Sequence, residues 1–211
     1  MRRTTYKKIS IALTGIACGA WYLHEPTPTT ISLRIGQPFA EVVRDSSYPI
    51  MARSFLPTAE TQGFGSTDVT QPSVILRFND PQHGFILPPT TFLAITYIDG
   101  VVDTVATSPM LKKLPFDQTV ELLARLQDRF QAGGWQIDND THTHWFDLSP
   151  AGRRQLHDYL RDPESGWSQE AWLIVPQKYG ITFRIKCAAR CDSQWGLDRY
   201  LIDIGIGNER S

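Results

Sequence analysis

The segment Asp138-Asn139-Asp140-Thr141-His142-Thr143-His144 concentrates more reactive side chains than any other stretch of this 211-residue chain. Side chains two residues apart on an extended strand leave the backbone on the same side. His142 and His144 so placed can share one metal ion, and Asp138 and Asp140 can add oxygen ligands. That chemistry would suit a metal-dependent hydrolase. The same residues also make a polar hairpin tip, because Asp and Asn favour turns and solvated histidines need no ligand.

A second reactive pair is Cys187 and Cys191, in Lys186-Cys187-Ala188-Ala189-Arg190-Cys191. Apart from Cys18 there is no other cysteine. In an oxidising compartment an isolated even pair is expected as a disulfide. Four residues of extended chain span about 13 Å, too far for a bridge. The bond therefore requires the strand carrying Cys187 to end near that residue, and the chain to turn before Cys191. A zinc site joining both cysteines to His142 and His144 would need reduced thiols instead.

The remaining candidates suit recognition. Trp135, Trp145, Trp167, Trp172 and Trp195 crowd the C-terminal half. Aromatic area dominates burial, so most belong to the core. Trp167 and Trp195 adjoin glycines, in Gly166-Trp167 and Trp195-Gly196, where an exposed indole would serve a binding site. Arg184, Lys186 and Asp203 are expected on the outer face of the last strands. There they form either a cross-strand charge ladder or a recognition surface. No G-x-S-x-G, no H-E-x-x-H, no phosphate-cradling glycine loop and no dinucleotide fingerprint occurs. No catalytic residue and no cofactor is assigned on that reading.

These residues must be positioned by a folded domain whose elements follow from periodicity. Ile31–Ile35 places Ile31, Leu33 and Ile35 on one face of a strand, and Phe39–Asp45 suits a short helix after Gly36-Gln37-Pro38. Through Gly36, Glu41 and Val42 this opening is similar, over a short span, to that of small envelope lipoproteins of the outer-membrane assembly class. The likeness uses common residue types and implies nothing further here. Ser46–Pro72 carries breakers without periodicity and reads as a long loop. Ser73–Phe78 is a strand, and Phe92–Ile98 and Val101–Thr107 flank the hairpin signal Asp99-Gly100. Phe116, Val120, Leu123, Leu126 and Phe130 recur at helical spacing, giving a helix over Phe116–Ala132 stopped by Gly133-Gly134. Trp135–Ile137 and His144–Phe146 read as short strands around the polar turn. Ser149-Pro150 opens a helix over Ala151–Arg161. Ala171–Val175, Ile181–Lys186 and Tyr200–Ile206 are strands, the last two strictly alternating, which means a sheet wet on one side. The sum is an α+β fold: a mainly antiparallel sheet covered on one face by one long helix and one or two short helices.

The N-terminus sets an address for this domain. Arg2, Arg3, Lys7 and Lys8 precede Ile9–Leu23, which holds no charged residue. That order is a secretory signal or a membrane anchor, with the cations on the cytoplasmic side. Apolar character persisting through Leu23 favours an uncleaved anchor. Gly15-Ile16-Ala17-Cys18 resembles the lipobox of bacterial lipoproteins, with Gly15 where that motif usually has Leu. The resemblance implies cleavage before Cys18 and its lipidation. A conventional cleaved signal and a buried apolar helix are the other readings. Residues 1–23 thus form a signal or anchor, 24–30 a Pro-rich tether, and 31–211 a single extracytoplasmic, periplasm-facing domain.

Net charge is −1 overall, but four of the 21 basic residues and no acid lie before His24. Residues 24–211 therefore hold 17 basic against 22 acidic side chains, which argues against nucleic acid as a partner. The expected function is a membrane-tethered cell-envelope domain that binds a protein or envelope component, an immunity or inhibitor protein being one form of it. The metal-dependent envelope hydrolase built on His142 and His144 is the alternative. Deleting residues 1–23 is expected to move the protein from the membrane fraction to the cytosol. Unchanged membrane association after deletion would refute the anchor.

Overall fold

A computed structural model describes residues 28–56, 63–192 and 195–209. The anchor over 1–23, with Cys18, and the start of the tether lie outside the described residues. Among the described residues no helix is long and apolar enough to cross a membrane.

The fold is α+β, with eleven strands and three α-helices among the described residues. In chain order these are β1 (Thr29–Leu33), α1 (Phe39–Asp45), β2 (Ser54–Phe55), β3 (Phe64–Val69), β4 (Val74–Phe78), β5 (Phe85–Ile86), β6 (Leu93–Ile98) and β7 (Val101–Thr107). Then come α2 (Phe116–Ala132), β8 (Gln136–Ile137), α3 (Pro150–Arg161), β9 (Ser168–Val175), β10 (Tyr179–Ala189) and β11 (Arg199–Asn208). Eight strands form an antiparallel sheet in the order β2-β3-β6-β7-β11-β10-β9-β8. A separate three-stranded sheet has β4 between parallel β1 and antiparallel β5.

Alternation decides which face of the large sheet is covered. Ile181, Phe183 and Ile185 of β10 and Ile202, Ile204 and Ile206 of β11 are buried, while the residues between them keep solvent contact. The inner face receives α2 through Val120, Leu123, Leu126 and Phe130. Phe130 and Phe146 both meet Phe183 edge-on, at 5.2 and 5.4 Å between ring centroids. Helix α3 begins with Ser149 accepting from the Gly152 amide at 3.1 Å and Pro150 in the first turn. Gly152 is required by close approach, since a Cβ there would lie 2.3 Å from the Asp147 carbonyl oxygen.

The small sheet joins the large one through an aromatic cluster. Phe78 stacks on Phe85 and meets Tyr179 edge-on, and Trp135 lies against Tyr179. Beneath it sits the buried carboxylate of Asp80, 6% exposed. It accepts from Lys178 Nζ at 2.7 Å, Tyr179 OH at 3.0 Å and the amides of Gln82 and His83 at 2.9 and 2.8 Å. Burial opposes ionisation of Asp80, but these donors outweigh it and hold the carboxyl far below its ordinary range. Burial together with the Asp80 charge pushes the Tyr179 phenol up to about 12.

Three expectations are corrected. The loop over Ser46–Pro72 contains β2 and β3. The inward positions of β3 are Gly65, Thr67 and Val69, so its buried face carries almost no apolar signal. Thr67 is fully buried because its hydroxyl bonds Tyr97 OH at 3.0 Å and Ser54 Oγ at 2.6 Å. The strand at His144–Phe146 is not formed; β8 ends at Ile137, and the Thr143 hydroxyl instead accepts from the Trp172 amide at 3.0 Å. The first strand starts at Thr29, so the last two residues of the expected tether pair with Val74 and Ile75.

Asp80 and Asp198, the other buried carboxylate held low by hydrogen bonds, stabilise the fold in their ionised form. A depressed folded pKa gives stability that is complete above the unfolded value near pH 4 and is lost as pH falls below it. Asp80→Asn should therefore cost about 2 kcal/mol at pH 7, allowing for the exposed end of Lys178. The deficit relative to wild type should shrink by pH 3. Urea unfolding at both pH values measures this.

Candidate functional site

The outer face of the large sheet is the one turned away from α2, and its residues fall into cross-strand rows fixed by register. One row runs Ala94–Ala106–Gly205–Thr182–Trp172 across β6, β7, β11, β10 and β9. The next row holds Ser66–Thr96–Thr104 on one half of the sheet and Gly207–Gly180–Ile174 on the other. A Cβ built on Gly207 would lie 3.5 Å from Thr104 Cγ2, so these halves meet as well. Small residues thus floor a depression of about 430 Å³, with Trp172 and Ile174 at one side and Asp103, Thr104 and Asp138 on its margin.

The glycines on this floor are not explained by backbone conformation. Gly205 and Gly207 lack the left-handed torsion that favours glycine, and their nearest neighbours would sit 3.8 and 3.5 Å from an added Cβ. A side chain would fit at both positions within the chain itself. Glycine inside a strand loses packing and backbone entropy, and it marks places where another group approaches the backbone closely.

A third row gives the floor a charged border. Asp203 lies opposite Arg184, which lies opposite Glu170. The Asp203 carboxylate receives Ser108 Oγ at 2.5 Å, Lys186 Nζ at 2.5 Å and Arg184 at 3.5 Å. Glu170 accepts from Trp172 Nε1 at 2.9 Å, which ties the aromatic wall to this border. The Nε of Arg184 is buried without a hydrogen-bond partner among the described residues. The arrangement offers apolar area, donors and acceptors side by side.

The residues singled out from the sequence distribute unevenly. Arg184 and Lys186 stand on this face, paired to Asp203, and Asp138 reaches its margin. His142 and His144 do not share a strand face. His142 adopts left-handed backbone at the end of a short turn, and both side chains are exposed. Asp138 caps that turn by accepting from the Asp140 amide. Among the described residues no three His, Cys, Asp or Glu side chains converge as a metal site would require. Trp167 is half-buried against the core, whereas Trp195 is 86% exposed.

Cys187 and Cys191 are joined by a disulfide, with their Cα atoms 5.9 Å apart. The strand ends near Cys187 and the chain turns before Cys191, as reach demanded. Its last residue is Ala189, after an irregular register between Cys187 and Ala189, and Arg190 then turns through left-handed backbone. Arg161 Nε and Lys113 Nζ donate to the Cys191 and Ala188 carbonyls and fasten the bridge to the body of the domain.

The floor residues Ala106, Gly180, Gly205 and Gly207 escaped the sequence reading, which named Trp172 only among tryptophans mostly assigned to the core. A signal existed in Ile204-Gly205-Ile206-Gly207, where glycine follows each of two inward isoleucines. Comparison of the chain with protein-family models, curated proteins and solved structures finds no match.

Labelling the denatured, unreduced domain with a thiol reagent is expected to modify neither Cys187 nor Cys191. The paired Cys187→Ser and Cys191→Ser substitutions close no long loop, so they should cost no more than about 2 kcal/mol. Proteolysis after Arg190 should accelerate more than global unfolding does. Equal acceleration of both would show that the bridge supports the whole core.

Proposed function

We propose that this chain is an extracytoplasmic binding domain, held at a bacterial-type cell-envelope membrane by its N-terminal segment, that takes a protein partner on the outer face of its large sheet. One observation carries the reading: Gly205 and Gly207 on that face have room for side chains that the fold itself does not forbid. A partner element laid there would gain backbone proximity over Gly205 and Gly207, apolar area at Trp172 and Ile174, and polar contacts from Arg184, Lys186 and Asp203. Aromatic and arginine side chains at the edge of a small-residue surface are the groups that dominate interface energetics. The Cys187–Cys191 bond supports the oxidising side of a membrane. The charged start at Arg2–Lys8 and the uncharged run Ile9–Leu23 support the tether. An immunity or inhibitor protein acting in the periplasm is the most concrete form of this function.

The test separates binding from folding. Gly205→Leu should leave the unfolding midpoint within about 3 °C of wild type, because an added Cβ meets Thr182 only at ordinary contact distance, 3.8 Å. A photo-crosslinker placed at Thr182 of the full chain in the envelope should capture one discrete partner, and Gly205→Leu should abolish that product. Capture that is unchanged by Gly205→Leu would overturn the reading, as would capture equal to that of a crosslinker at exposed Asp128 on α2.

A further inference from the structure

On the opposite side of the domain a second cavity, of about 380 Å³, opens between the first turn of α2, the middle of α3 and the segment leading into β11. The floor is a hydrogen-bonded pair. Asp198, only 6% exposed, accepts from Tyr200 OH at 2.6 Å and from His157 Nε2 at 3.1 Å, both on the same carboxylate oxygen. Burial opposes the ionisation of Asp198, yet these donors outweigh it and keep the carboxyl below its usual range. Burial and the neighbouring Asp198 charge push the Tyr200 phenol strongly upward, so it remains a donor. A carboxylate facing Nε2 fixes the hydrogen on that nitrogen and leaves Nδ1 for another partner.

The walls combine charge with apolar surface. Arg153 and Arg154 precede His157 by four and three residues on α3, so all three side chains share one side of that helix. Arg153 Nε is held by the Leu148 carbonyl at 2.9 Å, which fixes its guanidinium beside the cavity. Phe116 lies 4.4 Å from the His157 ring, centroid to centroid, and contributes an aromatic wall with Pro115. The 17-residue helix α2 starts here with no side-chain cap from Pro115, so its positive end adds to the two guanidinium groups. Asp117 on the rim is the one other acid lining the space.

The geometry points to a binding site for a carboxylate carried on a small apolar body, held by Arg153 and Arg154 with its apolar part against Phe116 and the His157 ring. The charges select this class. Two arginines face Asp117 on the rim and Asp198, engaged by Tyr200 and His157, on the floor. Asp117 and Asp198 already balance the two guanidinium groups, so a single added charge is admitted where a phosphate dianion would be repelled beside Asp117. Planar carboxylates also match guanidinium geometry in a bidentate manner. This site lies away from the sheet face and does not rest on the function proposed for it.

The test titrates the full-length protein in detergent with N-acetylphenylalanine, its uncharged amide, hexanoate and inorganic phosphate, followed by NMR of the Phe116, Arg154 and His157 resonances. The free organic acid and a C-terminal carboxylate of a peptide are distinguished by adding a tripeptide ending in Phe and its C-terminal amide. The acids, and whichever peptide form fits, should bind and shift these three residues, and the amides should not. Arg154→Glu, an exposed position, should weaken the acids at least about tenfold while the melting temperature is retained. Trp172→Ala should leave binding unchanged. Equal shifts with acid and amide would overturn the site. So would binding of phosphate in preference to both acids, absence of binding up to tens of millimolar, or acid affinity untouched by Arg154→Glu in a folded protein.

Discussion

Three residue pairs hold the large sheet together at its centre. Strand β7 pairs with β6 and β11 with β10 over most of their lengths, each ladder with one irregularity, but β7 and β11 meet only at Val105–Ile206, Ala106–Gly205 and Thr107–Ile204. So short a ladder is a weak hinge unless something else spans it. Three features do. The Ser108 hydroxyl donates to Asp203 just beyond the ladder. Leu114 and Tyr200 exchange both backbone hydrogen bonds further along β11, at 3.1 and 2.8 Å. Helix α2 packs its apolar side onto β11 from below. The candidate binding face lies directly above this junction, so the spacing of Ala106, Gly205 and Thr182 depends on it. Anything bound across the floor would bridge both halves of the sheet.

A common device fastens the two longest central strands. Tyr179 is the first residue of β10 and Tyr200 the second of β11. Each is buried and donates its hydroxyl to a buried aspartate, and each aspartate also holds a basic side chain from a different surface: Lys178 for Asp80 and His157 for Asp198. A tyrosine brings a large apolar area to the strand entrance, and its hydroxyl must find a partner once buried. The aspartate satisfies it and is in turn kept charged. These clusters tie the small sheet and helix α3 to opposite ends of the same sheet.

Much of this architecture was legible in the chain. The spacing from Phe116 to Phe130 and the stop at Gly133 gave α2 over its full length, and the strict alternation of β10 and β11 gave both the strands and their buried side. Asp99-Gly100 marked the β6–β7 hairpin. What escaped had a physical reason. Strand β3 turns Gly65 and Thr67 inward, and a buried threonine satisfied by Tyr97 looks polar in sequence. The polar turn at Asp138–Thr141 was legible, but His142 and His144 were read as sharing a strand face, and His142 instead takes left-handed backbone at the end of the turn. The binding face was hidden for a different reason. Its signal is the absence of side chains at alternate positions, and attention to reactive groups passes over glycine. Asp198 and His157 are 41 residues apart, so no local spacing could have paired them.

The two margins of the large sheet are built from strands of only two residues, β2 and β8. Strand β8 covers Leu173 and Ile174, and the amide and carbonyl of the next residue, Trp172, are taken by Thr143 and Asp138. A long bare margin is a template for pairing with another chain, and short, locally satisfied margins deny that template. The domain can therefore leave a broad, nearly side-chain-free surface open to solvent without zipping laterally into fibres. Self-association, were it to occur, would have to be stacking of faces, which closes after two copies, rather than extension of the ladder, which does not close at all.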